Sequence, residues 1–234
     1  MKKLVLSLVA IVAFVNMTFA QKNLDKGTIK MELTEITATD PQMAMQLEMM
    51  KGSSTEIKFG DGVQATTAEM MGGMVKVKTY SNQKEDKYDM LMDMMGQKMW
   101  ISSTISEMAK DPQQDAIKKS AVITPDKKAT KEILGYKCYK ISVTSPELAE
   151  MEVEAYVTED IKGGQGLIQG FQTVEMPGFP LEFTIKNAMM NITMQAKTIS
   201  DEVDMSKSIP NTTGYKKYTM EEFRKQMGGM GMGF

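Results

Sequence analysis

Histidine is absent from this chain of 234 residues, and cysteine occurs once, at Cys138. Without histidine, the chain lacks the commonest general base and the commonest metal ligand in proteins. Neither a Ser-His-Asp group nor a Cys-His pair can form, and no zinc-ligand spacing is present. One cysteine allows no intrachain disulfide. We expect Cys138 to be a partly buried structural residue, because a reactive thiol needs an environment that lowers its pKa.

The sequence patterns of other chemical sites are also lacking. The glycine-rich stretch over residues 161–178 has neither the spacing nor the lysine of a phosphate-binding loop, so we interpret it as a long surface loop or a broken helix. Two carboxylates can serve glycoside hydrolysis, but the candidates alternate with apolar residues, which predicts a solvated strand face. The sequence therefore indicates a protein that is not an enzyme and has no cofactor. The carboxylates concerned are Asp89, Asp93, Glu152 and Glu154.

Long apolar runs are scarce, and the one that stands out lies at the N-terminus. Leu4 to Val15 follows two lysines, and Thr18-Phe19-Ala20 precedes Gln21. A positive start, a short apolar run and a small-residue cleavage site are typical of a secretory signal peptide. We predict such a peptide over residues 1–20, with cleavage near Ala20–Gln21. The run is too short to span a bilayer comfortably, and no cysteine follows it to carry a lipid anchor.

Removal of these 20 residues would leave 214 of the 234 residues, which is enough for one sizeable core. We predict a single domain over residues 21–226 and a flexible, Met/Gly-rich tail over residues 227–234. Loss of Lys2 and Lys3 changes the net charge from −2 to −4, which disfavours nucleic-acid partners. The expected protein is exported and soluble in the periplasm, and it does not span the membrane after cleavage.

Apolar and polar residues alternate along the chain with the period of two that marks strands with one buried face. About nine such stretches are joined by turn residues such as Asp61-Gly62, which tolerate the positive φ angles of tight hairpins. Short helices are predicted after the capping residues Asp40, Asp111, Ser145 and Thr219. There is no βαβ rhythm. The pattern predicts an α+β fold, with one large, curved antiparallel sheet whose apolar face is covered by a few short helices.

The stretch from Thr130 to Val143 is predicted to be a turn that feeds the central strand of this sheet. Tyr139, Ile141 and Val143 share one parity, and Gly135 supplies a permissive backbone just before the strand begins. The other strands are expected to flank this strand on both sides.

Methionine is abundant, with 26 in the chain. Three hypotheses account for it: core filling, an adaptable apolar surface for varied ligands, and binding of Cu(I) or Ag(I) through thioethers. Core filling is favoured, because Met31, Met151 and others fall on predicted apolar faces. The candidate ligand-binding residues are Met90, Met92, Phe183 and Met194. The alternative metal-binding set is Met90, Met92, Met94 and Met95.

The predicted signal peptide and four segments carry a family resemblance. The segments are GTIKMELT from residue 27, KATKEILGYKCYKISV from residue 128, AYVTEDI from residue 155 and GFPLEFTIK from residue 178. In this order they resemble a family of secreted bacterial proteins, family 4412 of the domains of unknown function. That family is similar in outline to the periplasmic lipoprotein carriers LolA and LolB. The resemblance spans residues 27–217 and implies a LolA-like, half-closed antiparallel barrel with helices capping its mouth. It implies no reaction and no catalytic residues.

The expected function is non-catalytic binding of an apolar or acylated ligand, such as a lipid, or of a protein partner at the cell envelope. The implied fold would hold a ligand between the concave face of the sheet and the helices. Two alternatives stay open. One is a structural envelope protein without a ligand, and the other is a methionine-based binder of Cu(I) or Ag(I).

Overall fold

A computed structural model of the protein describes residues 23–148, 151–168 and 170–229, so the predicted signal peptide lies outside the described residues. The strands are β1 (Gly27–Ala38), β2 (Ser54–Gly60), β3 (Val63–Met70), β4 (Val75–Asn82), β5 (Lys87–Met94), β6 (Gln97–Ser103), β7 (Val122–Ile133), β8 (Tyr136–Thr144), β9 (Glu152–Thr158), β10 (Phe179–Lys186), β11 (Met190–Ser200) and β12 (Lys216–Tyr218). The helices are α1 (Pro41–Glu48), α2 (Ile105–Met108), α3 (Pro112–Ser120) and α4 (Met220–Gly229). Short 3-10 segments lie at Met71–Gly73, Pro146–Leu148 and Met205–Ser208.

All twelve strands belong to one open sheet in the order β12-β6-β5-β4-β3-β2-β1-β11-β10-β9-β8-β7. Two antiparallel meanders, β1 to β6 and β7 to β11, lie side by side because β11 pairs with β1. The short β12 pairs in parallel with β6 at one edge. The predicted α+β class, with one large, mostly antiparallel sheet and a few short helices, is confirmed.

We call the end of the sheet at which β1 begins, with Gly27, the lower end. The end at which β1 finishes, with Ala38, is the upper end. The antiparallel order places the β2–β3 turn at Asp61-Gly62 at the lower end. It places α1 and the β3–β4, β5–β6 and β10–β11 turns at the upper end. Asp61 and Gly62 have φ angles of 54° and 81°, the left-handed pair that a two-residue hairpin requires.

One face of the sheet is apolar along its whole width. Ile29 on β1 is opposite Ile57 on β2 and Ile199 on β11, and the same parity continues to Val153 on β9 and Val143 on β8. Of these five side chains, all but Ile199 are fully buried. The opposite face carries cross-strand ion pairs, such as Lys140 with Glu154. On these strands the predicted alternation matches the division between core and polar face, whereas on β3 the core parity is that of Thr66 and Ala68 and not that of Val63, Ala65 and Thr67.

Two covers lie on the apolar face. The first is formed by α3 and residues 161–178, and it buries Ile117, Ile168, Phe171 and Val174 against strands β1, β2 and β8 to β10. The second is α4, whose Phe223 packs on strands β5 and β6. Residues 161–168 and 170–178 therefore contribute to the core, whereas the sequence predicted a long surface loop or a broken helix. The apolar residues of this segment are spaced irregularly among glycines, so their positions show neither the period of a helix nor that of a strand.

The predicted central strand is not at the centre. β8 lies second from one edge of the sheet, and the predicted lead-in from Thr130 belongs to β7, the edge strand itself. A register shift between Asp126 and Thr130 interrupts the edge, and Lys127 and Lys128 beside it are exposed. Both features discourage pairing with another chain. The prediction was wrong because period-two alternation identifies a buried face without indicating how many strands lie beyond it.

Residues 201–215 form a strap across the polar face, which the sequence did not predict. The Thr28 hydroxyl donates to the carbonyl oxygen of Glu202 where the strap begins, and Lys98 Nζ lies 5.7 Å from the ring centre of Tyr215 where it ends. Both Thr28 and Lys98 point to the polar face. On the same face, Leu91 is 1% exposed and Asp89 is 2% exposed.

The predicted solvation of Asp89 is therefore wrong. Trp100 Nε1 donates to Asp89 Oδ1 over 2.9 Å, and Lys87 Nζ lies 3.4 Å from Asp89 Oδ2. These two partners satisfy a carboxylate that burial would otherwise destabilise. The reason for the error is physical, because a segment that returns over a polar face buries it without altering the local alternation.

The predicted helix starts are present where the sequence placed them. Asp40 Oδ1 accepts from the backbone N–H groups of Gln42 and Met43, and Asp111 caps α3 in the same way. Thr219 and Glu222 form a reciprocal capping pair at α4. α4 includes residues 227–229 of the predicted tail, and residues 230–234 lie outside the described residues.

Candidate functional site

The four candidate ligand-binding residues all lie on the apolar face, in two separate pairs. Phe183 on β10 is directly opposite Met194 on β11, whereas Met90 and Met92 lie on β5. Five strand intervals separate β11 from β5. At about 4.8 Å per interval, the pairs are about 24 Å apart along the sheet. The structure therefore does not bring the four residues together.

The members of each pair differ in burial. Met92 is 6% exposed and packs with Met94, Met99 and Phe223 under α4. Phe183 is 7% exposed and belongs to the core under the first cover. Met90 and Met194 are half-buried at the margins of these two clusters. Only the half-buried members keep surface that a ligand can contact.

The alternative metal set is divided in a similar way. Met90, Met92 and Met94 share one face of β5, but Met95 lies in the β5–β6 turn and is 77% exposed. The four thioethers therefore do not share one environment. Within the described residues there is also no group of three or more Asp, Glu or Cys side chains placed to hold a metal ion.

The middle of the apolar face differs from its two flanks. On the strands that border it, Ile57 on β2 and Met94 on β5 are buried. Between them, every residue of β3 is half-buried, as are the β4 residues of the apolar parity. The floor is a two-by-two patch in which Thr66 is opposite Thr79 and Ala68 is opposite Val77. We call the strip of the apolar face that runs over this patch from Gln64 to Met70, with Met90 at its side, the central groove.

The central groove is held at its lower end and continues to the upper edge of the sheet. Gln64 on β3 donates from Nε2 to the carbonyl oxygen of Gln165 over 2.8 Å, and its Oε1 accepts from the N–H of Gly164 over 2.9 Å. This pair of bonds ties the first cover to the floor. At the upper end, Met70 and Val75 are opposite each other and remain half-buried.

The first cover approaches the sheet closely because it uses glycine at the contact. A Cβ atom on Gly163 would lie 2.8 Å from the Phe59 ring, and one on Gly164 would lie 2.7 Å from the Phe179 ring. Both distances are shorter than real carbon contacts allow. Gly164 also has a φ angle of 81°, which disfavours other residues. These glycines therefore set the position of the wall that borders the central groove.

The chemistry of the groove is that of an apolar slot with a few hydroxyl groups. Its floor carries no charged side chain, and its length from Gln64 to Met70 is about 20 Å at about 3.4 Å per residue. A bilayer core of about 30 Å holds two opposed acyl chains, so one chain needs about 15 Å. The groove therefore has the length and polarity for a single extended acyl chain.

The described residues with shifted pKa values include side chains on three different strands, β5, β8 and β9. Burial, with a smaller contribution from the Glu182 carboxylate, raises the pKa of Cys138 to about 12, so the thiol stays protonated at neutral pH. Burial raises the pKa of Tyr88 to about 12 as well. Hydrogen bonds from Lys140 and Lys186 lower the pKa of Glu154, as expected for an ion pair on the polar face.

Two surface depressions lie elsewhere, and neither contains a predicted ligand-binding residue. One, of 480 Å³, is at the upper end beside β7 and is lined by residues that include Val122, Pro146, Leu148 and Met151. The other, of 340 Å³, lies between β12 and α4 and is lined by polar residues and Tyr218. The central groove is distinct from both depressions, because its floor lies on the apolar face of β3 and β4.

Sequence reasoning missed the four floor residues. A signal was present, because Thr66, Ala68 and Thr79 occupy positions where the other strands carry isoleucine, phenylalanine or methionine. Small or hydroxyl-bearing residues on the strand face that points to the core indicate a place where few other side chains pack above the sheet. The candidate Met90 lies next to this patch, since it is opposite Thr79 across β4 and β5.

Comparisons with known proteins give distant likenesses. No protein-family model matches the chain, and no curated protein matches it. Among solved structures, lipoprotein LppX of Mycobacterium tuberculosis is 10% identical with a TM-score of 0.37, over 80% of this chain and 95% of that chain. LprF of Mycobacterium bovis is 13% identical with a TM-score of 0.31, over 84% and 93%. MucB is 10% identical with a TM-score of 0.34, over 83% of this chain and 60% of that chain.

In the part of the chain that the structure describes, no helix combines the length and the apolar character needed to cross a membrane.

Proposed function

We propose that this protein is a non-catalytic binding protein that holds one extended acyl chain in the central groove. The observation that carries the proposal is the half-burial of Thr66, Ala68, Val77 and Thr79 between the two packed clusters of one apolar face, with Val77 at the margin of the second cluster. A ligand laid there would complete the cover over the sheet. Each buried methylene group would contribute about 0.8 kcal/mol.

The ends of the groove give the ligand a direction. The lower end is held by the hydrogen bonds between Gln64 and the first cover, so the acyl tail points there. The upper end reaches the edge of the sheet between Met70 and Val75. A polar head group, or the protein to which an acyl chain is attached, would lie at this end in solvent.

Met90 lines the groove in this proposal, whereas Met194 lies outside it. Both are half-buried and belong to the apolar face, and methionine side chains adapt to varied apolar partners. Met90 borders the groove on β5, while Met194 lies across β1 and β2 from it. Phe183 and Met92 support the two flanks from within the core. Export to the periplasm, which the first twenty residues predict, would place the protein among acylated ligands.

Uptake of a fluorescent palmitate derivative by the purified protein tests the proposal. The variant Ala68→Glu places a carboxylate in the path of the acyl chain, and we expect it to weaken uptake by about tenfold or more, since burying a charge is costly. The matched control is Thr67→Glu, one residue away on the polar face, which should bind like the parent protein. No uptake by the parent, or equal uptake by Ala68→Glu, contradicts the proposal and favours a structural protein without a ligand.

A further inference from the structure

Exposed apolar side chains are concentrated at the upper end of the sheet. Eight large apolar side chains of the described residues are strongly exposed, and six of them lie at this end. Five of the six are methionines, and we call them the methionine rim. They are Met45 at 75%, Met49 at 54%, Met74 at 50%, Met95 at 77% and Met189 at 55% exposure.

The rim follows the connections between strands. Met95 lies in the β5–β6 turn, Met74 in the β3–β4 turn, Met45 and Met49 in or beside α1, and Met189 in the β10–β11 turn. Successive connections are two strand intervals apart, or about 10 Å, and the row extends over about 29 Å. Thioethers spaced so widely cannot share one metal ion, whose bonds to sulfur are about 2.3 Å long.

Turn formation does not explain the choice of methionine. Met71 and Met95 have φ angles of 54° and 51°, in the left-handed region where asparagine, aspartate and glycine are favoured. At the lower end the corresponding positions include Asp61 and Asp86, with φ angles of 54° and 49°. Leu134, with a φ angle of 51°, is an exposed apolar residue at the lower end. In the upper turns, methionine therefore occupies left-handed positions where aspartate would have a lower conformational energy.

The charges beside the rim are paired with one another. Lys51 lies 2.6 Å from Glu48, Lys76 lies 2.6 Å from Glu69, and Lys98 lies 4.0 Å from Asp93. The upper turns therefore do not present a row of unpaired lysines to an anionic partner. The upper turns instead present separate apolar side chains beside charges that are paired with one another. Such a surface is complementary to a partner that is itself uncharged and deformable.

We propose that the methionine rim docks the protein onto the surface of a neutral lipid bilayer, with the turn tips inserted among the lipid head groups. Binding of this kind scales with buried apolar area. The rim surrounds the end at which the central groove reaches the edge of the sheet, so a docked protein would exchange an acyl chain directly with the bilayer. Docking itself does not depend on the groove, and the two can be tested separately.

Flotation with vesicles of phosphatidylcholine tests the docking. The parent protein should rise with the vesicles, equally at low and high sodium chloride, because the described lysines beside the rim are paired with carboxylates. Replacing all five rim methionines with glutamine, as in Met95→Gln, should weaken vesicle binding by about tenfold or more, while acyl-probe uptake persists. The control variant, Leu134→Gln with Ile209→Gln, removes exposed apolar side chains away from the rim and should float like the parent.

Failure of the parent to float, or equal flotation of the rim variant, overturns the proposal. Flotation only with anionic vesicles, lost at high salt, overturns it as well. If the parent is instead a dimer that the rim variant loses, and neither binds vesicles, the rim is a contact between two copies of the chain. The variant Ala68→Glu should still float, so failure of the groove and failure of the rim are distinguishable.

A second measurement does not require removal of the rim. An environment-sensitive fluorophore attached at Met95→Cys should shift to shorter wavelength when vesicles are added, and the same fluorophore at Leu134→Cys should not. The native Cys138 is fully buried, and burial raises its pKa to about 12, so labelling is confined to the new cysteine. Equal shifts at both positions, or no shift at Met95→Cys, would contradict insertion of the rim.

Discussion

The flank of the apolar face under the first cover and the middle of that face have the same strand pattern but different packing. In the flank, Val153 and Leu181 have no exposed surface, and Phe171 from residues 161–178 fills the space above the sheet. In the middle, Ala68 and Val77 are half-buried. The difference lies in what the chain lays over the sheet, because both regions alternate apolar and polar residues equally well.

This comparison explains how one continuous sheet can provide both a stable core and a binding surface. Two covers stabilise the flanks, and the strands between them inherit rigidity through the backbone hydrogen bonds of the sheet. A rigid but uncovered strip is preorganised for a ligand, since little ordering is needed on binding. The predictions that follow test whether the flank and the middle differ in energy and accessibility as they differ in burial.

The largest effect is expected in the flank. Phe183→Ala should lower the free energy of unfolding by about 3–5 kcal/mol, because it leaves a cavity in the packed core. Its neighbour Thr184 points to the polar face, where its hydroxyl lies 2.9 Å from that of Thr193. Thr184→Ala should therefore cost about 1 kcal/mol. Urea unfolding measures both, and equal costs would show that the two faces of β10 are not distinct.

A matched pair of valines compares the two regions directly. Val153→Ala in the flank should cost about 2–3 kcal/mol, from two lost methyl groups and the cavity they leave. Val77→Ala in the middle should cost about 1 kcal/mol or less, because the valine already contacts solvent. Chemical denaturation of the two variants is the measurement. A cost for Val77→Ala as large as that for Val153→Ala would mean that the groove is closed.

Two glycines test whether residues 161–178 are a fitted cover. Gly164 and Gly214 both have a φ angle of 81°, but an added Cβ would meet the Phe179 ring only at Gly164 and open space at Gly214. Gly214→Ala should cost about 1 kcal/mol from backbone strain alone. Gly164→Ala should cost about 1–2 kcal/mol more, because the cover must move away from the ring. Thermal unfolding of both variants measures this difference. Equal losses of stability would mean that the contact between Gly164 and the Phe179 ring does not hold the cover in place.

The smallest change in stability is expected for a cysteine variant in the groove, and its readout is the rate of reaction with a thiol reagent. Cys138 has no exposed surface, and burial raises its pKa to about 12. At pH 8 it should therefore not react with a thiol reagent until the protein unfolds. Val77→Cys should place a reactive thiol in the groove at little cost in stability. A parent protein that reacts as fast as the variant would contradict the burial of the flank.

The sequence predicted those features that depend on neighbours along the chain. Alternation placed Phe183 and Met92 on the apolar face, and the capping residues Asp40, Asp111 and Thr219 began helices where expected. The hairpin at Asp61-Gly62 followed from the backbone freedom of these two residues. Each of these features is determined by residues that are close together in the chain, so it can be predicted from one sequence.

The features that the sequence did not predict depend on contacts far along the chain. β7 lies at an edge of the sheet, and Asp89 is buried on the face that residues 201–215 cross. The central groove exists because two covers from distant parts of the chain stop short of each other. The small residues Thr66 and Ala68 hinted at the groove, but their meaning depends on where the covers lie.

The central claim, that an acyl chain binds between the two covers, is tested most directly by photo-crosslinking. A palmitate derivative with a diazirine in its acyl chain would be irradiated with the parent protein, and the attached residues mapped by mass spectrometry. We predict adducts on the floor of the groove, over residues 64–70 and 75–79, and their loss in Ala68→Glu but not in Thr67→Glu. Adducts concentrated instead in the depression lined by Leu148 and Met151, or spread evenly over the surface, would contradict the claim.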